Sequence, residues 1–295
     1  MKRIIISIWV FCMALLAIPV APVQAQNSEV GASVGTMLYL GDLNQGKPFA
    51  FDKFKLAGGF VYRYNISPRW AVKASFLFGE VSASDAKTNK GYERNLSFFS
   101  PITDFSVVGE LNFLQLYTTT GKNHFAPYVF AGFTVFSFDP MANYNGKEYH
   151  LQSLGTEGQG LLGPDTFQKY SLTSFAIPFG IGLRVNIGKY VCIGAEWGIR
   201  CTFTDYLDDV SGYYFDNDQL RDQRGDIIAN LADRTPELPG GSVHAAGHQR
   251  GNNPKPKNKK YNFNNDFYSF AGLTVTVRIG NADRTCELKQ KRKKY

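Results

Sequence analysis

The side chains of this sequence that could act in catalysis or bind a metal ion lie in polar segments rich in glycine. Of the four histidines, His244 and His248 form the motif H-A-A-G-H, which on a helix would place both imidazoles on one face for a metal ion. Pro239, Gly240 and Gly241 come just before this motif and disfavour a helix. We therefore interpret the two histidines as a loop pair and predict no metal ion there.

Two other motifs resemble ligand sites only in part. Residues 155–160 read G-T-E-G-Q-G, but the Lys-Ser or Lys-Thr ending of a phosphate-binding loop is missing, so we predict a tight external turn. Asp205, Asp208 and Asp209 could together bind a calcium ion, but their spacing is not that of an EF-hand. The simpler interpretation places these carboxylates in water at the end of a strand. The sequence thus predicts no cofactor and no small-molecule substrate.

The elements that must position these residues are strands, because apolar side chains alternate with small or polar ones over long stretches. The clearest stretch runs from Thr173 to Ile187, where every second residue from Phe175 onward is Phe, Ile, Leu or Val. A strand usually has about 5–6 residues, whereas one that spans a membrane needs about 9–11, apolar outward and polar inward. Eight strands are predicted, over residues 30–40, 54–66, 70–79, 104–113, 125–138, 173–187, 191–203 and 267–279.

The connections between these strands alternate between short and long. Residues 67–69, 117–124 and 188–189 make short turns, whereas long segments such as 82–101 follow the first, third, fifth and seventh strands. The longest, 207–265, is rich in polar residues, glycine and proline, and we expect it to be mobile. Short periplasmic turns and long external loops are typical of outer-membrane barrels. We therefore predict an all-β fold, an eight-stranded antiparallel transmembrane β-barrel with short periplasmic turns and long extracellular loops.

The charged side chains of the predicted strands share a face with the glycines, so the apolar face should point to lipid. A soluble barrel of the lipocalin type would have the opposite arrangement. Eight strands enclose a space that side chains just fill, and an unpaired buried charge costs several kcal/mol. We therefore predict a plug of ion pairs rather than a wide pore. This interior charge network comprises Arg63, Lys73, Asp104, Glu110, Arg184, Glu196, Arg200 and Arg278.

The first 25 residues are typical of a secretory signal peptide. Lys2 and Arg3 precede an apolar stretch from Ile4 to Ile18, and the small-residue site before cleavage ends at Ala25. We expect residues 1–25 to be the signal peptide, 26–280 the barrel and 281–295 a C-terminal tail. Export without an apolar run near the ~18 residues of a membrane helix fits the outer membrane of a Gram-negative bacterium. An even number of strands then leaves both termini in the periplasm, and this compartment excludes nucleic acid as a partner.

The C-terminal tail, residues 281–295, is strongly basic and carries one cysteine. Its six cations and two anions give a net charge of +4 out of the +7 of the whole chain. After cleavage Cys192, Cys201 and Cys286 remain, an odd number that suggests either a free thiol or a disulfide with another protein. A solubilising tail and a site for anionic headgroups or an acidic protein are both open. The candidate partner-binding residues are Arg284, Cys286, Lys289, Lys291, Arg292, Lys293 and Lys294.

Six stretches spread over nearly the whole mature chain resemble a known family. They are Y-L-G-D-L at 39–43, S-P-I-T-D-F-S-V-V-G-E-L-N-F at 100–113, P-Y-V-F-A-G-F at 127–133, G-T-E-G-Q-G at 155–160, I-P-F-G-I-G at 177–182 and T-F-T-D-Y-L-D-D-V-S at 202–211. In this order they are similar to the PorG-like outer-membrane barrels of the type IX secretion system in Bacteroidota. The resemblance implies a structural component, without enzymatic activity, that ties a periplasmic ring of a lipoprotein and a soluble partner to the outer membrane.

The expected function is therefore that of a non-enzymatic barrel subunit of a protein secretion machine. Its partners would be outer-membrane lipid and periplasmic ring proteins or a lipoprotein, with a disulfide through Cys286 left open. The main alternative is a small OmpX- or OmpA-like surface barrel that acts in adhesion or envelope stability through its long loops. A third is a lipid-modifying enzyme of the outer membrane, although no predicted strand carries the histidine that such a site needs.

Overall fold

The computed structural model describes residues 28–43, 54–85, 94–114, 116, 124–161, 168–251 and 265–279. Its ten strands are β1 (Ser28–Leu40), β2 (Lys55–Asn65), β3 (Trp70–Ser84), β4 (Ser97–Asn112), β5 (Phe125–Phe138), β6 (Met141–Tyr144), β7 (Lys147–His150), β8 (Thr173–Ile187), β9 (Val191–Thr202) and β10 (Phe267–Ile279). The helices are α1 (Leu151–Leu154), α2 (Asn217–Arg224), α3 (Asp226–Ala232) and a 3₁₀ turn, Thr235–Glu237. None of these described helices is long and apolar enough to span a membrane.

Eight of the strands close into an antiparallel barrel. Each pairs with its neighbours in the order β1, β2, β3, β4, β5, β8, β9 and β10, and β10 pairs with β1 over their full length from Ser28 opposite Ile279 to Leu40 opposite Phe267. The predicted eight-stranded barrel is thus confirmed. The remaining strands, β6 and β7, form a hairpin within the connection from β5 to β8.

The outside of the barrel is apolar along its strands. Every second residue of β8 from Phe175 to Ile187 is exposed, and Phe133 on β5 exposes 77% of its surface. A soluble protein rarely leaves so large an apolar surface in water, whereas the lipid-facing band of a membrane barrel requires it. The strand alternation therefore sorts apolar side chains outward to lipid and polar ones inward.

Inside the barrel, aromatic rings from β5 lie against glycines of β8 and β9. A Cβ atom on Gly198 would come within 2.5 Å of Phe130 Cζ, and one on Gly182 within 2.3 Å of the Tyr128 ring. These glycines leave the space that the two rings fill. We call Tyr128, Phe130 and the glycines that they contact the aromatic layer. Because β5 carries apolar side chains both outward to lipid and inward to the aromatic layer, its alternation is ambiguous in the sequence.

Besides the connection that contains the β6–β7 hairpin, two of the predicted connections differ from the structure. Residues 82–101 do not form a loop throughout, because β3 continues to Ser84 and β4 begins at Ser97. Pro101, which disfavours a strand interior, hides this extension, but it lies opposite Glu80 on the exposed face. The segment from residue 207 to 251 is also not an open polar loop, since it contains α2, α3 and the 3₁₀ turn and buries Leu207, Val210 and Leu231.

These long connections fold together at one end of the barrel. We call residues 139–161 and 204–251 the cap. One apolar cluster joins side chains inside the barrel, such as Met37, Ile102 and Phe136, to the cap residues Leu151 and Leu207. The cap therefore covers the mouth on the side of the long connections, and the short turns lie at the opposite end.

Candidate functional site

The interior of the barrel near the short turns is filled by ion pairs. Arg63 donates from Nε to Glu110 Oε2 at 2.8 Å and from Nη1 to Glu29 Oε2 at 3.0 Å. Lys73 lies 3.5 Å from Glu110 Oε1 and donates to Glu196. All five side chains are buried in the barrel. Because the pairs connect β1, β2, β3, β4 and β9, they tie strands together across the interior.

Two further arginines complete this layer. Arg184 Nη1 is 3.4 Å from Glu110 Oε2, and its Nη2 donates to Asn112 Oδ1 at 2.9 Å. Arg278 Nη2 lies 3.4 Å from Glu29 Oε1. Four cations thus face three carboxylates at this end. We call this layer the charge plug: Glu29, Arg63, Lys73, Glu110, Arg184, Glu196 and Arg278.

A second polar layer lies farther from the short turns. Arg200 Nε donates to Asp104 Oδ2 at 3.3 Å, and Tyr268 Oη donates to the same oxygen at 2.8 Å. Ser106 donates to Asp104 Oδ1 and bonds Thr134 at 2.7 Å. Above this layer the interior becomes apolar and aromatic up to the cap. The side chains therefore fill the barrel from one end to the other.

The structure brings all eight residues of the expected interior network into this filling, each with an ion-pair partner. Sequence reasoning missed Glu29, which pairs with both Arg63 and Arg278. The signal was available, because Glu29 has the same strand parity as Gly31 and Ser33. Starting the first strand at Val30 left it out.

The G-T-E-G-Q-G segment, residues 155–160, is hydrogen-bonded to several other parts of the cap, and we call it the hub. Arg224 on α2 donates to the carbonyl oxygens of Leu154, Gly155 and Gln159, so the segment wraps around a guanidinium rather than a phosphate. Glu157 Oε1 accepts from the backbone N–H of Ser211 at 3.0 Å. The turn predicted here is present, but its side chains are buried under the rest of the cap.

A buried arginine joins the hub to the segment that contains Asp209. Arg250 Nη1 donates to Glu157 Oε1 at 3.1 Å, to the Asp209 carbonyl at 2.9 Å and to Thr156 Oγ1 at 3.2 Å. Burial raises the pKa of Asp209 to about 6, although Arg250 and hydrogen bonds from Thr156 and Tyr170 oppose this effect. Loss of Arg250 would therefore leave the buried carboxylates of Glu157 and Asp209 without their cation.

The aspartates expected at a solvated strand end are buried, so that interpretation is wrong. Asp205, Asp208 and Asp209 are each at most 3% exposed. Asp208 Oδ2 accepts from Tyr39 Oη at 2.6 Å, and Asp266 Oδ1 lies 2.7 Å from the same phenol oxygen. The carboxylates are covered because the cap folds onto the ends of β1 and β10. Within the described ranges, no cluster of three or more metal-ligating side chains is found.

The two loop histidines stack with a tyrosine in the cap. The ring of His244 lies 4.3 Å from that of Tyr214 and 4.8 Å from that of His248, with planes within 21°. His244 Nδ1 is 3.1 Å from Asp233 Oδ2, which also accepts from the His244 backbone N–H at 2.7 Å. Parallel stacking fixes the loop but does not point two ring nitrogens at one metal ion.

The tail and the signal peptide lie outside the described residues, so the candidate residues from Arg284 to Lys294 have no structural account. Of the cysteines, Cys192 and Cys201 are described as free thiols. Cys192 points into the barrel and is 4% exposed. A disulfide between these two is therefore absent in the described part of the chain.

Comparison with known proteins gives a family and several similar barrels. Residues 6–231 match the family described as "Domain of unknown function (DUF6089)". No curated protein matches the chain. Similar crystal structures include Neisserial surface protein A, with 8% identity, a TM-score of 0.40, and coverage of 85% of this chain and 96% of that one. Ail, the attachment invasion locus protein of Yersinia pestis, has 11% identity, a TM-score of 0.37 and coverage of 85% and 97%. The N-terminal β-barrel domain of Pseudomonas aeruginosa OprF has 10%, 0.35, 85% and 97%.

Proposed function

We propose that this chain, a member of the DUF6089 family, is a non-enzymatic outer-membrane barrel that anchors a protein secretion machine. Lipid holds the barrel, and the periplasmic side holds a ring protein or lipoprotein of the machine. The proposal extends the resemblance of six sequence stretches to PorG-like barrels of type IX secretion systems.

The observation that carries the proposal is the filled interior. Seven charged side chains meet in the charge plug, where Glu110 alone lies within 3.5 Å of Arg63, Lys73 and Arg184. Breaking such buried pairs is strongly unfavourable, so the plug does not open readily for a solute. A barrel that does not conduct is suited to holding other components in the membrane.

The basic tail supports a periplasmic contact. Residues 281–295 carry net charge +4 and begin two residues after the end of β10. The end of β10, at Ile279, lies beside the start of β1, at the same end of the barrel as the short turns. A cationic segment of this kind attracts acidic partners or anionic headgroups from a distance. The docking surface is therefore proposed to comprise the tail and the neighbouring turns.

Removal of the tail tests this function in cells. Deletion of residues 281–295 should leave the barrel folded in the membrane, abolish co-purification of periplasmic partners from gently solubilised membranes, and reduce protein secretion. Arg221→Gln, which removes one partly exposed cation of the cap, is the control and should leave both readouts unchanged. Normal secretion in cells that lack the whole gene would exclude a role in secretion.

A second candidate function is favoured by the cap. Its hairpin, helices and buried Arg250 make a folded surface rather than loose loops, and such a surface suits adhesion or envelope stability. Replacing residues 217–232 by a short linker should abolish adhesion if the cap acts at the surface. An anchoring barrel would keep its periplasmic partners after the same replacement.

A further inference from the structure

Tyr39, Asp208 and Asp266 meet at the barrel mouth, where the cap joins the strands. Tyr39 is at the end of β1, Asp266 directly precedes β10, and Asp208 belongs to the cap. The phenol oxygen lies 2.6 Å from Asp208 Oδ2 and 2.7 Å from Asp266 Oδ1. All three side chains are at most 1% exposed. They link residues that are 169 and 227 positions apart in the chain.

The two hydrogen bonds of Tyr39, Asp208 and Asp266 limit how many of the two carboxyl groups can be ionised. Two hydrogen bonds run between the three oxygens, and each needs one proton. The phenol supplies one, because a tyrosine hydroxyl donates a single hydrogen bond. The second bond requires a proton on Asp208 or on Asp266, which then donates to the phenol oxygen. Two ionised carboxylates would leave one short oxygen contact without a proton.

The other oxygens of both carboxyl groups are held by the cap backbone. Asp208 Oδ1 accepts from the Val210 N–H at 3.0 Å, and Asp266 Oδ2 accepts from the Leu207 N–H at 3.0 Å. Gly41 packs against the group, since a Cβ atom there would come within 2.0 Å of Asp266 Oδ1. The carboxyl groups are therefore fixed in position, and they connect the 207–210 segment to the barrel.

Among the described residues, two cations near the trio, Arg94 and Arg250, pair with other carboxylates. Asp42, after β1, and Asp205, in the cap, add negative charge. Arg94, from the segment between β3 and β4, is close enough for its charge to interact with Asp208, but its guanidinium donates to Asp85 at 2.8 and 2.9 Å. Arg250 lines a small cavity together with Asp208, but its guanidinium pairs with Glu157 at 3.1 Å and lies 4.0 Å from Asp209 Oδ2.

We propose that Tyr39, Asp208 and Asp266 form a proton latch, in which one carboxylic acid proton fastens the cap to the barrel mouth and its loss releases the 205–214 segment. The pKa of both carboxyl groups is raised well above the ordinary value, first because they are buried and then because nearby carboxylates repel their charge. Opening exposes the group to water and releases the proton. Rising pH therefore favours the open cap, while pH below the ordinary aspartate value leaves the latch fully closed.

Infrared spectroscopy of the full-length protein in lipid vesicles tests the proton directly. We expect a carboxylic-acid C=O band near pH 7 that is lost in Asp208→Asn and in Asp266→Asn and is kept in the control Asp218→Asn, which changes a 93% exposed aspartate of α2. Using both variants keeps the test open if one fails to fold. Absence of this band in the native protein would overturn the latch.

Hydrogen exchange of residues 205–214 tests the release. After correction for intrinsic rates, the opening equilibrium should rise with pH above about 6, where Asp209 has already lost its proton. The rise should be up to about tenfold per pH unit until the raised pKa of the carboxyl pair is passed, since opening releases one proton. An Asn at position 208 supplies a permanent donor, so Asp208→Asn should remove this slope and Asp218→Asn should keep it. The same slope in Asp208→Asn would contradict the proposal. Loss of protection on adding EDTA at constant pH would show that a metal cation, not a proton, holds the two carboxylates.

Discussion

Arg63 on β2 and Glu110 on β4 face each other across the inside of the barrel, with Nε 2.8 Å from Oε2, although β3 separates their strands in the sheet. The pair therefore bridges the barrel wall from within rather than supporting a neighbouring strand. Glu110 also faces Lys73 at 3.5 Å and Arg184 at 3.4 Å. One carboxylate thus balances three cations from three strands, which makes it the centre of the charge plug.

Replacing this carboxylate should weaken the whole barrel. Glu110→Gln leaves Arg63, Lys73 and Arg184 facing a neutral amide, and breaking a buried ion pair costs about 3–5 kcal/mol. The free energy of unfolding, measured by guanidinium titration in lipid vesicles, should fall by that amount.

The matched control is the pair of Glu80 with Lys55, whose side chains are 37% and 41% exposed. Glu80→Gln should cost less than about 1 kcal/mol, because exposed ion pairs contribute little. Equal effects of the two substitutions would mean that the charge plug does not stabilise the barrel.

Two inward-facing glycines of β9 should respond differently to alanine. A Cβ at Gly198 would come within 2.5 Å of Phe130 Cζ, whereas one at Gly194 has its nearest atom at an ordinary 3.6 Å. Gly198→Ala should therefore lower the free energy of unfolding by about 1–3 kcal/mol through overpacking, and Gly194→Ala should change it little. A similar loss in both variants, measured by thermal unfolding, would argue against the aromatic layer.

The buried Asp209 should make the stability of the cap depend on pH, and Arg250 limits this dependence. Arg250→Met leaves Glu157 and Asp209 without their cation, a loss of about 3–5 kcal/mol in cap stability. The pKa of Asp209 is already raised to about 6, above its ordinary value of 3.8, by burial. The stabilising effect of protonated Asp209 is complete at pH values below its ordinary pKa of 3.8 and is lost as pH rises through about 6.

In Arg250→Met the pKa of Asp209 should rise further, so the cap should be weaker relative to the native protein at about pH 7.5 than at about pH 5. Limited proteolysis of residues 204–251 at both pH values measures this difference. Arg221→Met, which removes a cation of α2 whose side chain is 38% exposed, is the control. Equal proteolysis of Arg250→Met at the two pH values would contradict the assignment.

A disulfide to a partner should depend on Cys286 alone. Non-reducing electrophoresis of native membranes decides whether this disulfide forms, because a high-mass band that collapses on reduction should be absent in Cys286→Ser. Cys192→Ser should keep the band, because Cys192 is buried inside the barrel. Without such a band in the native protein, the tail has no covalent partner.

The barrel itself could be predicted from the sequence because its information is local. Alternation from Phe175 to Ile187 places each outward side chain without knowledge of the neighbouring strand. The inward charges could be predicted for the same reason, since Arg184 and Glu196 have fixed parity on their strands. The sequence did not show which charges pair, because pairs such as Lys73 with Glu196 join residues 123 positions apart.

The cap could not be predicted because the contacts that bury its polar residues are mostly long-range. Asp208 has the composition of a solvated turn, and only Tyr39, 169 positions away, shows why it is buried. Glu157 likewise finds Ser211 and Arg250 at separations of 54 and 93. Polar segments rich in glycine and aspartate suggest exposure, and they are buried here because several of them satisfy one another's hydrogen bonds.

Conductance of single barrels in a planar lipid bilayer tests most directly whether this protein is an anchor for other proteins or a channel for solutes. The charge plug and the aromatic layer fill the interior, so the purified native protein should give no large, stable conductance steps. Glu110→Gln, which disrupts the plug, should raise the frequency of brief openings. Large and stable conductance of the native protein would contradict the anchoring function, because the barrel would then be a channel.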